Sequence, residues 1–225
     1  MLNIVKKMFK PKNFTDTVTM SDNLNMILLD KSGKTKAIRD VSDIHELAVN
    51  FDKKSDVVKE KFTLKQKNKQ SNNNQEKEII VVNRFLPVFN KENNTQFILS
   101  QNQPLTDSHI DILISDGSKE IELQVRVSDD EPWGKLFKNK FFERSGKGFE
   151  ISHNAIKRAI ETKIKKYPLQ IRNDLILLLD GWLAVRPEDL ENFITTENEF
   201  MKNSEFKEIW FVGEIQKTII KLYPY

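Results

Sequence analysis

From residue 111 to residue 125 apolar and polar side chains alternate. Ile112, Ile114, Ile121, Leu123 and Val125 are interleaved with Asp111, Glu120, Glu122 and Gln124. A period of two is the strand signal, and Asp116-Gly117 between the two runs is a hairpin turn signal. A two-residue turn at that dipeptide sets Ser115 against Ser118, Ile112 against Ile121 and Asp111 against Glu122. The five apolar residues then share one face that can be buried, and the acids share the other.

The remaining pattern predicts a mixture of helices and strands. Upstream, Asn25–Leu29 and Thr35–Ile38 flank Lys31-Ser32-Gly33-Lys34 as a hairpin, and a helix is expected to open near Ser42-Asp43. Residues 53–77 are polar, with almost nothing to bury, and read as a linker. Gln75–Leu86 has Ile79, Val82, Phe85 and Leu86 near helical spacing, with Pro87 disturbing its end, and a strand is expected at Gln96–Leu99. Ser152 is placed to cap a helix whose stripe is Ala155, Ile156, Ala159, Ile160, Ile164 and Tyr167, ended by Pro168. Lys157, Arg158, Lys163, Lys165 and Lys166 fall mostly outside that stripe. Asp174–Leu179 reads as a strand buried on both faces, Pro187 opens a helix, and Ile209–Val212 gives a last strand. The order indicates an α/β fold, a central mixed sheet flanked by helices. It places a small N-terminal α+β accessory unit and linker at 1–74 and the main domain at 75–225.

Composition narrows the function classes. The 225 residues suffice for one substantial core. No apolar run approaches the roughly 20 residues that span a bilayer, and the first residues lack the apolar core of a secretory signal, so an intracellular protein with no membrane partner is expected. With no cysteine there are no disulfides, thiol nucleophiles or cysteine-containing zinc sites. His45, His109 and His153 form no ligand spacing either. The 36 basic residues nearly balance 33 acidic ones, leaving a net charge of +3, so a polyanion partner has to be argued from local clusters.

Two acids directly opposed across antiparallel strands have Cβ atoms roughly 4.5–5.5 Å apart and destabilise the sheet. A divalent cation reverses that sign, and hard oxygen ligands converging at that spacing suit Mg²⁺ or Mn²⁺. The bland alternative is a solvated acidic strand face, which a register slip of one residue would produce.

An acid heading one strand, an acid-x-polar step on the next, and the helix, strand, hairpin, helix, buried strand order together resemble the PD-(D/E)XK nuclease superfamily, the fold of many restriction and repair endonucleases. The likeness covers roughly residues 75–213 and implies a restriction-endonuclease-like core. By resemblance Asp111 matches the motif's first acid, Glu122 the second, and Gln124 the position usually held by Lys. An acid on the preceding helix often completes such sites, and Glu78 is the choice here, with Glu76 close behind. Two departures stand out: Ile110 replaces the motif's Pro, and Gln124 replaces the Lys, although some restriction enzymes of this type carry Gln there.

The resemblance implies a metal-dependent endonuclease acting on DNA, in restriction, phage defence, repair or mobile-element biology. Asp111 and Glu122 would hold Mg²⁺ or Mn²⁺, with the Leu123 carbonyl as a third ligand and Gln124 orienting the attacking water through its amide. Lys135, Lys138, Lys140 and Arg144, interleaved with Trp133, Phe137, Phe141 and Phe142, form with Lys157 the expected nucleic-acid contacts. Phe137 and Phe141 are also at helical spacing, so this segment equally fits an amphipathic helix whose aromatics are core or a homodimer contact, and core packing is slightly favoured. The rival readings are a nuclease fold that binds nucleic acid without cutting it and an α/β interaction domain with a solvated acidic hairpin.

Overall fold

The computed structural model describes residues 17–20, 25–29, 35–40, 44–52, 57–64, 74–104, 110–131, 135, 138–139, 141–181, 185–213 and 218–225. In chain order the elements are β1 (Thr17–Met20), β2 (Asn25–Leu29), β3 (Thr35–Asp40), β4 (Ile44–Asp52), β5 (Val57–Leu64), α1 (Asn74–Asn93), β6 (Ile98–Leu99), β7 (Ile112–Ser115), β8 (Glu120–Val127) and β9 (Phe141–Lys147). They continue with α2 (Gly148–Lys166), α3 (Leu169–Arg172), β10 (Ile176–Asp180), α4 (Pro187–Ser204), β11 (Glu208–Val212) and β12 (Ile219–Tyr223).

The chain divides into two compact units. The first contains Met1–Gln70 and Asp130–Ile151, the second Ser71–Asp129 and Ser152–Tyr225. The sequence reading gives everything after residue 74 to one domain, whereas the contact pattern returns 130–151 to the first unit. That unit holds two antiparallel three-stranded sheets, ordered β1-β2-β3 and β4-β5-β9. The helix expected near Ser42-Asp43 is instead strand β4, where Leu47, Val49 and Phe51 recur with period two. Residues 57–64, read as linker, form β5, the central strand of its sheet. Its sequence, VVKEKFTL, sets Val58, Phe62 and Leu64 at alternating positions among charged residues, the period of a strand rather than of a linker. Residues 141–147 are likewise strand β9, with Phe142 registered opposite Phe62, and not part of an amphipathic helix.

The second unit is built on a six-stranded mixed sheet, ordered β12-β11-β10-β8-β7-β6. Strands β8, β10 and β11 run parallel, while β6, β7 and β12 are antiparallel to their neighbours. Helix α1 covers one face, packing Val82, Phe85 and Phe89 with Ile112, Ile114, Ile121, Leu123, Val125, Ile176, Leu178 and Trp210. Phe85 and Phe89 meet the Trp210 ring edge-on at 5.2 and 6.0 Å between centroids. Helices α2 and α4 cover the other face, joining Ile156, Ala159, Ile160, Leu190, Phe193 and Met201 to Leu177, Leu179, Ile209 and Phe211. The all-apolar run at β10 is thereby buried on both sides, as parallel strands between helix layers require.

Three local expectations change. Helix α1 runs through Pro87 rather than ending there. A proline inside a helix costs about 3 kcal/mol, and the burial of Phe85, Leu86, Val88 and Phe89 around it offsets that cost. Ser152 lies inside α2 rather than at its cap, and is buried. Strand β12, which the sequence reading does not anticipate, closes the edge against β11.

Arg84 ties α1 to the carboxyl ends of the parallel strands. Its guanidinium meets Asp180 Oδ1 at 2.8 Å and donates to the Gly213 carbonyl at 3.2 Å. Gly213 has no room for a side chain, since a Cβ there would fall 1.9 Å from Thr218 Oγ1.

Candidate active site

The hairpin forms with its faces as expected but in a different register. Ser115 pairs with Glu120, Ile114 with Ile121, Leu113 with Glu122 and Ile112 with Leu123. The loop therefore spans Asp116–Lys119, not the two residues Asp116-Gly117. The cause is the Asp116 carboxylate, whose Oδ1 accepts from the backbone N–H of Ser118 at 2.9 Å and of Lys119 at 3.0 Å, and from the Ser118 hydroxyl at 2.7 Å. These bonds draw Ser118 and Lys119 into the turn, and Gly117 takes the left-handed conformation the bend needs, φ +87°. The same bonds hold the Asp116 carboxyl below its usual range.

Because the register moves by two positions along one strand, every side chain keeps its face. Ile112, Ile114, Ile121, Leu123 and Val125 are all buried in the α1-side core. On the other face Asp111, just ahead of β7, meets the Gln124 side chain, and Glu122 is paired with Leu113. The direct Asp111–Glu122 opposition is therefore not formed.

Asp111 is held tightly at the mouth of the hairpin. Its backbone N–H donates to the Leu123 carbonyl at 3.0 Å, so that carbonyl, the expected third metal ligand, is already an acceptor within the sheet. Asp111 Oδ2 accepts from the Val125 backbone N–H at 2.8 Å and from Gln124 Nε2. Both bonds go to the same oxygen, and Oδ1 takes part in neither. The Gln124 amide is fully buried, and its Oε1 accepts from the Tyr167 hydroxyl. A carboxylate only accepts, so the amide must turn its NH₂ toward Asp111 and its oxygen toward Tyr167. Gln124 is thus buried and bonded at both ends of its amide, and one of its N–H groups holds Asp111 in place.

Electrostatics identifies the groups around this chain. Glu78, near the start of α1, has its carboxyl pushed up to about 7 by burial first and by the negative charge of Asp111 second, with Lys163 opposing. Asp111 is itself raised, mainly by burial, against its Val125 hydrogen bond and the charges of Lys163 and Lys166. Lys163 is lowered to about 8 by burial, with Lys166 and Arg126 adding to the shift and Asp111 and Glu78 opposing it. Two acids and three cations thus share one region of the second unit. Lys163 Nζ lies 5.6 Å and Lys166 Nζ 5.0 Å from the Tyr167 ring centre.

Lys163, Lys166, Tyr167 and Arg126 were not among the residues expected at the site. The signal for Lys163 is in the sequence. It falls four residues after Ala159, three after Ile160 and four before Tyr167, and so lies on the apolar stripe rather than outside it. Only 7% of it is exposed.

The other expected residues are placed as follows. Glu122 is half-buried on the polar face of β8, and Glu76 lies in α1. Lys157 meets Glu197 of α4 at 2.9 Å, and His153 Nε2 is 2.7 Å from the same carboxylate, so this lysine is engaged between two helices. In the first unit Lys135 pairs with Glu131 at 2.6 Å, and both Lys135 and Arg144 lie over the Phe142 ring. Lys138 is exposed, while Lys140 and His109 fall outside the described residues.

The donor set suits a hard cation, since Glu78, Asp111 and Glu122 offer only carboxylate oxygens. The mutual repulsion of Glu78 and Asp111 is the kind that a bound cation relieves. Among the described residues, however, no group of three or more His, Asp or Glu side chains already stands in a ligand cluster. Likewise, no described helix is long and apolar enough to cross a membrane. In comparisons with protein-family models, curated proteins and solved structures, the chain matches none.

Proposed function

We propose that the chain is a divalent-metal-dependent endonuclease hydrolysing DNA phosphodiester bonds, with Glu78, Asp111 and Glu122 as its acidic residues. The observation that carries this reading is the meeting of two half-buried, mutually repelling carboxylates, Glu78 and Asp111, with Lys163, Lys166 and Arg126 around them. Acids that gather a cation and bases that receive a phosphate are the two halves of a phosphodiester-cleaving site. The topology supports the same reading. Helix α1, the antiparallel run β6-β7-β8, helix α2 and then β10 parallel to β8 resemble the order that the PD-(D/E)XK superfamily uses to present its motif.

Mg²⁺ or Mn²⁺ held by Glu78, Asp111 and Glu122 would neutralise charge on the scissile phosphate and acidify the attacking water. The protein's own part is orientation. Val125 and Gln124 fix the Asp111 carboxylate through one oxygen, and Tyr167 fixes Gln124. Arg126 and Lys166 bring positive charge for the phosphate backbone.

Plasmid and linear duplex DNA incubated with the protein in Mg²⁺, Mn²⁺ or EDTA test the reading. Cleavage that needs the metal and disappears in a folded Asp111→Ala variant is the expected result. Absence of cleavage in both metals would reject it. In that event steep salt-dependent DNA binding would favour the second reading, a binding module, which the burial of Gln124 also suits.

A further inference from the structure

We propose that Arg172 of α3 is a positioning residue for the site, holding the last turn of α2 so that the Tyr167 hydroxyl reaches Gln124 and Gln124 keeps the Asp111 carboxylate in one orientation. This rests on the reading of Asp111 as a site acid given above, and it names the residue that sets its orientation from a distance.

The reason lies in how α2 ends. In a continuing helix the Ile164 carbonyl would accept from the backbone N–H four residues on, but that residue is Pro168, which has none. Arg172 supplies the missing donor. Its Nη1 donates to the Ile164 carbonyl at 2.9 Å and to the Tyr167 carbonyl at 2.8 Å. The Tyr167 carbonyl needs this donor as well, because the Ile171 N–H that would serve it in a continuing helix donates to Pro168 at 3.1 Å. The Arg172 side chain is 12% exposed, and its positive charge suits the negative end of the helix dipole. Its backbone is anchored in turn, the carbonyl accepting from the Leu175 and Lys207 N–H groups at 3.1 and 3.2 Å.

Tyr167 is the residue this clamp serves. Its N–H donates to the Lys163 carbonyl at 3.0 Å and its carbonyl accepts from Arg172, so its backbone is fixed on both sides. From that backbone the buried side chain donates to Gln124 Oε1, and Gln124 Nε2 donates to Asp111 Oδ2. A glycine can close a helix with no side-chain donor at all. Here the end is closed by a cation that grips the one residue of that turn bonded to Gln124. Without Arg172 two carbonyls lose their donor, the last turn frays, and the Tyr167 hydroxyl leaves Gln124. A role confined to stability would instead loosen the whole sheet.

The test follows exchange of the Gln124 side-chain amide protons with water by NMR in the full-length, metal-free chain, with the backbone amide of Leu178 in β10 as the measure of global opening. Arg172→Met should speed Gln124 exchange about 10-fold and leave Leu178 as in wild type. Tyr167→Phe should speed it at least as much, and the double variant should be no faster than Tyr167→Phe, because both residues act through one chain of bonds. Arg172→Lys, which keeps a donor for the carbonyls, should recover part of the protection. Glu205→Gln, which removes the ion partner of Arg172 at 3.7 Å and leaves the two carbonyl bonds, should leave Gln124 exchange unchanged. Arg172→Gln gives the same readout should the Met variant fail to fold. Gln124 exchange that is unchanged in Arg172→Met, or that rises only in step with Leu178, would overturn the proposal, as would a double variant faster than Tyr167→Phe. In Mn²⁺ Arg172→Met should cut duplex DNA more slowly at unchanged DNA affinity, and cleavage at the wild-type rate would overturn its part in the reaction. If wild type does not cut DNA, the nuclease reading falls, while the exchange comparison needs neither metal nor DNA and still decides whether Arg172 positions the Gln124–Asp111 pair.

Discussion

One face of the six-stranded sheet changes character between neighbouring strands. On β10 and β11 it presents Leu177, Leu179, Ile209 and Phe211, sealed beneath α2 and α4. One strand over, on β8, the residues registered beside Leu177 and Leu179 are Gln124 and Arg126. The pairing is parallel on both sides of β10, so side-chain chemistry alone separates the apolar core from the polar cluster. Helix α2 spans the border, with Ile156, Ala159 and Ile160 on the apolar side and Lys163 and Tyr167 on the polar one. The apolar half contributes stability. The polar half spends stability on charges that repel each other and on buried groups that need particular partners.

Substitutions can break that contrast. Phe211→Ala on the apolar half should cost about 3–5 kcal/mol in urea unfolding, because it opens a cavity beneath two helices. A loss below 1 kcal/mol would show that this half is less tightly packed than its burial indicates. Across the border, Tyr167→Phe removes the donor to the buried Gln124 oxygen and should cost about 1–3 kcal/mol. It also frees the amide that positions Asp111, so cleavage should fall by more than the stability loss explains.

The smallest effect is one of pH, measured in EDTA. Glu78 ionises near 7 in the fold against 4.5 ordinarily, so the folded chain holds a proton the unfolded chain has lost, and stability falls as pH rises through that window. Lys163 loses its proton near 8 in the fold against 10.5 ordinarily, so stability rises again above 8. The two groups together place a minimum between about 7 and 8. Glu78→Gln should flatten the falling limb and leave the rising one, as followed by melting temperature across pH. An unchanged falling limb would exclude Glu78 as its source.

The two halves also differ in how far the sequence discloses them. The apolar half is legible from periodicity: the run at 175–179, the alternating face of the hairpin and the stripe at 155–167 are buried where the pattern puts them, with Ile164 of the stripe partly so. The polar half is legible only in part. Which residues share a face follows from parity, but the register of the hairpin depends on what the Asp116 side chain bonds to, which composition does not reveal. Lys163 is obscured by its own charge, which invites an assignment to solvent although its spacing places it on the stripe. Strand β5 is obscured by the polar run that follows it at 65–74, although Val58, Phe62 and Leu64 alternate as a strand does. Pro87 misleads in the opposite direction, since tertiary burial overrides a local breaker.

The central claim is that the polar half of this face is a cation site organised by Asp111. Its most direct measurement is a calorimetric titration of Mn²⁺ into the metal-free wild-type chain and into Asp111→Asn, with both shown to be folded. The account predicts one Mn²⁺ bound per wild-type chain and no measurable binding by the variant. Equal binding by the two proteins, or none by wild type, would contradict it.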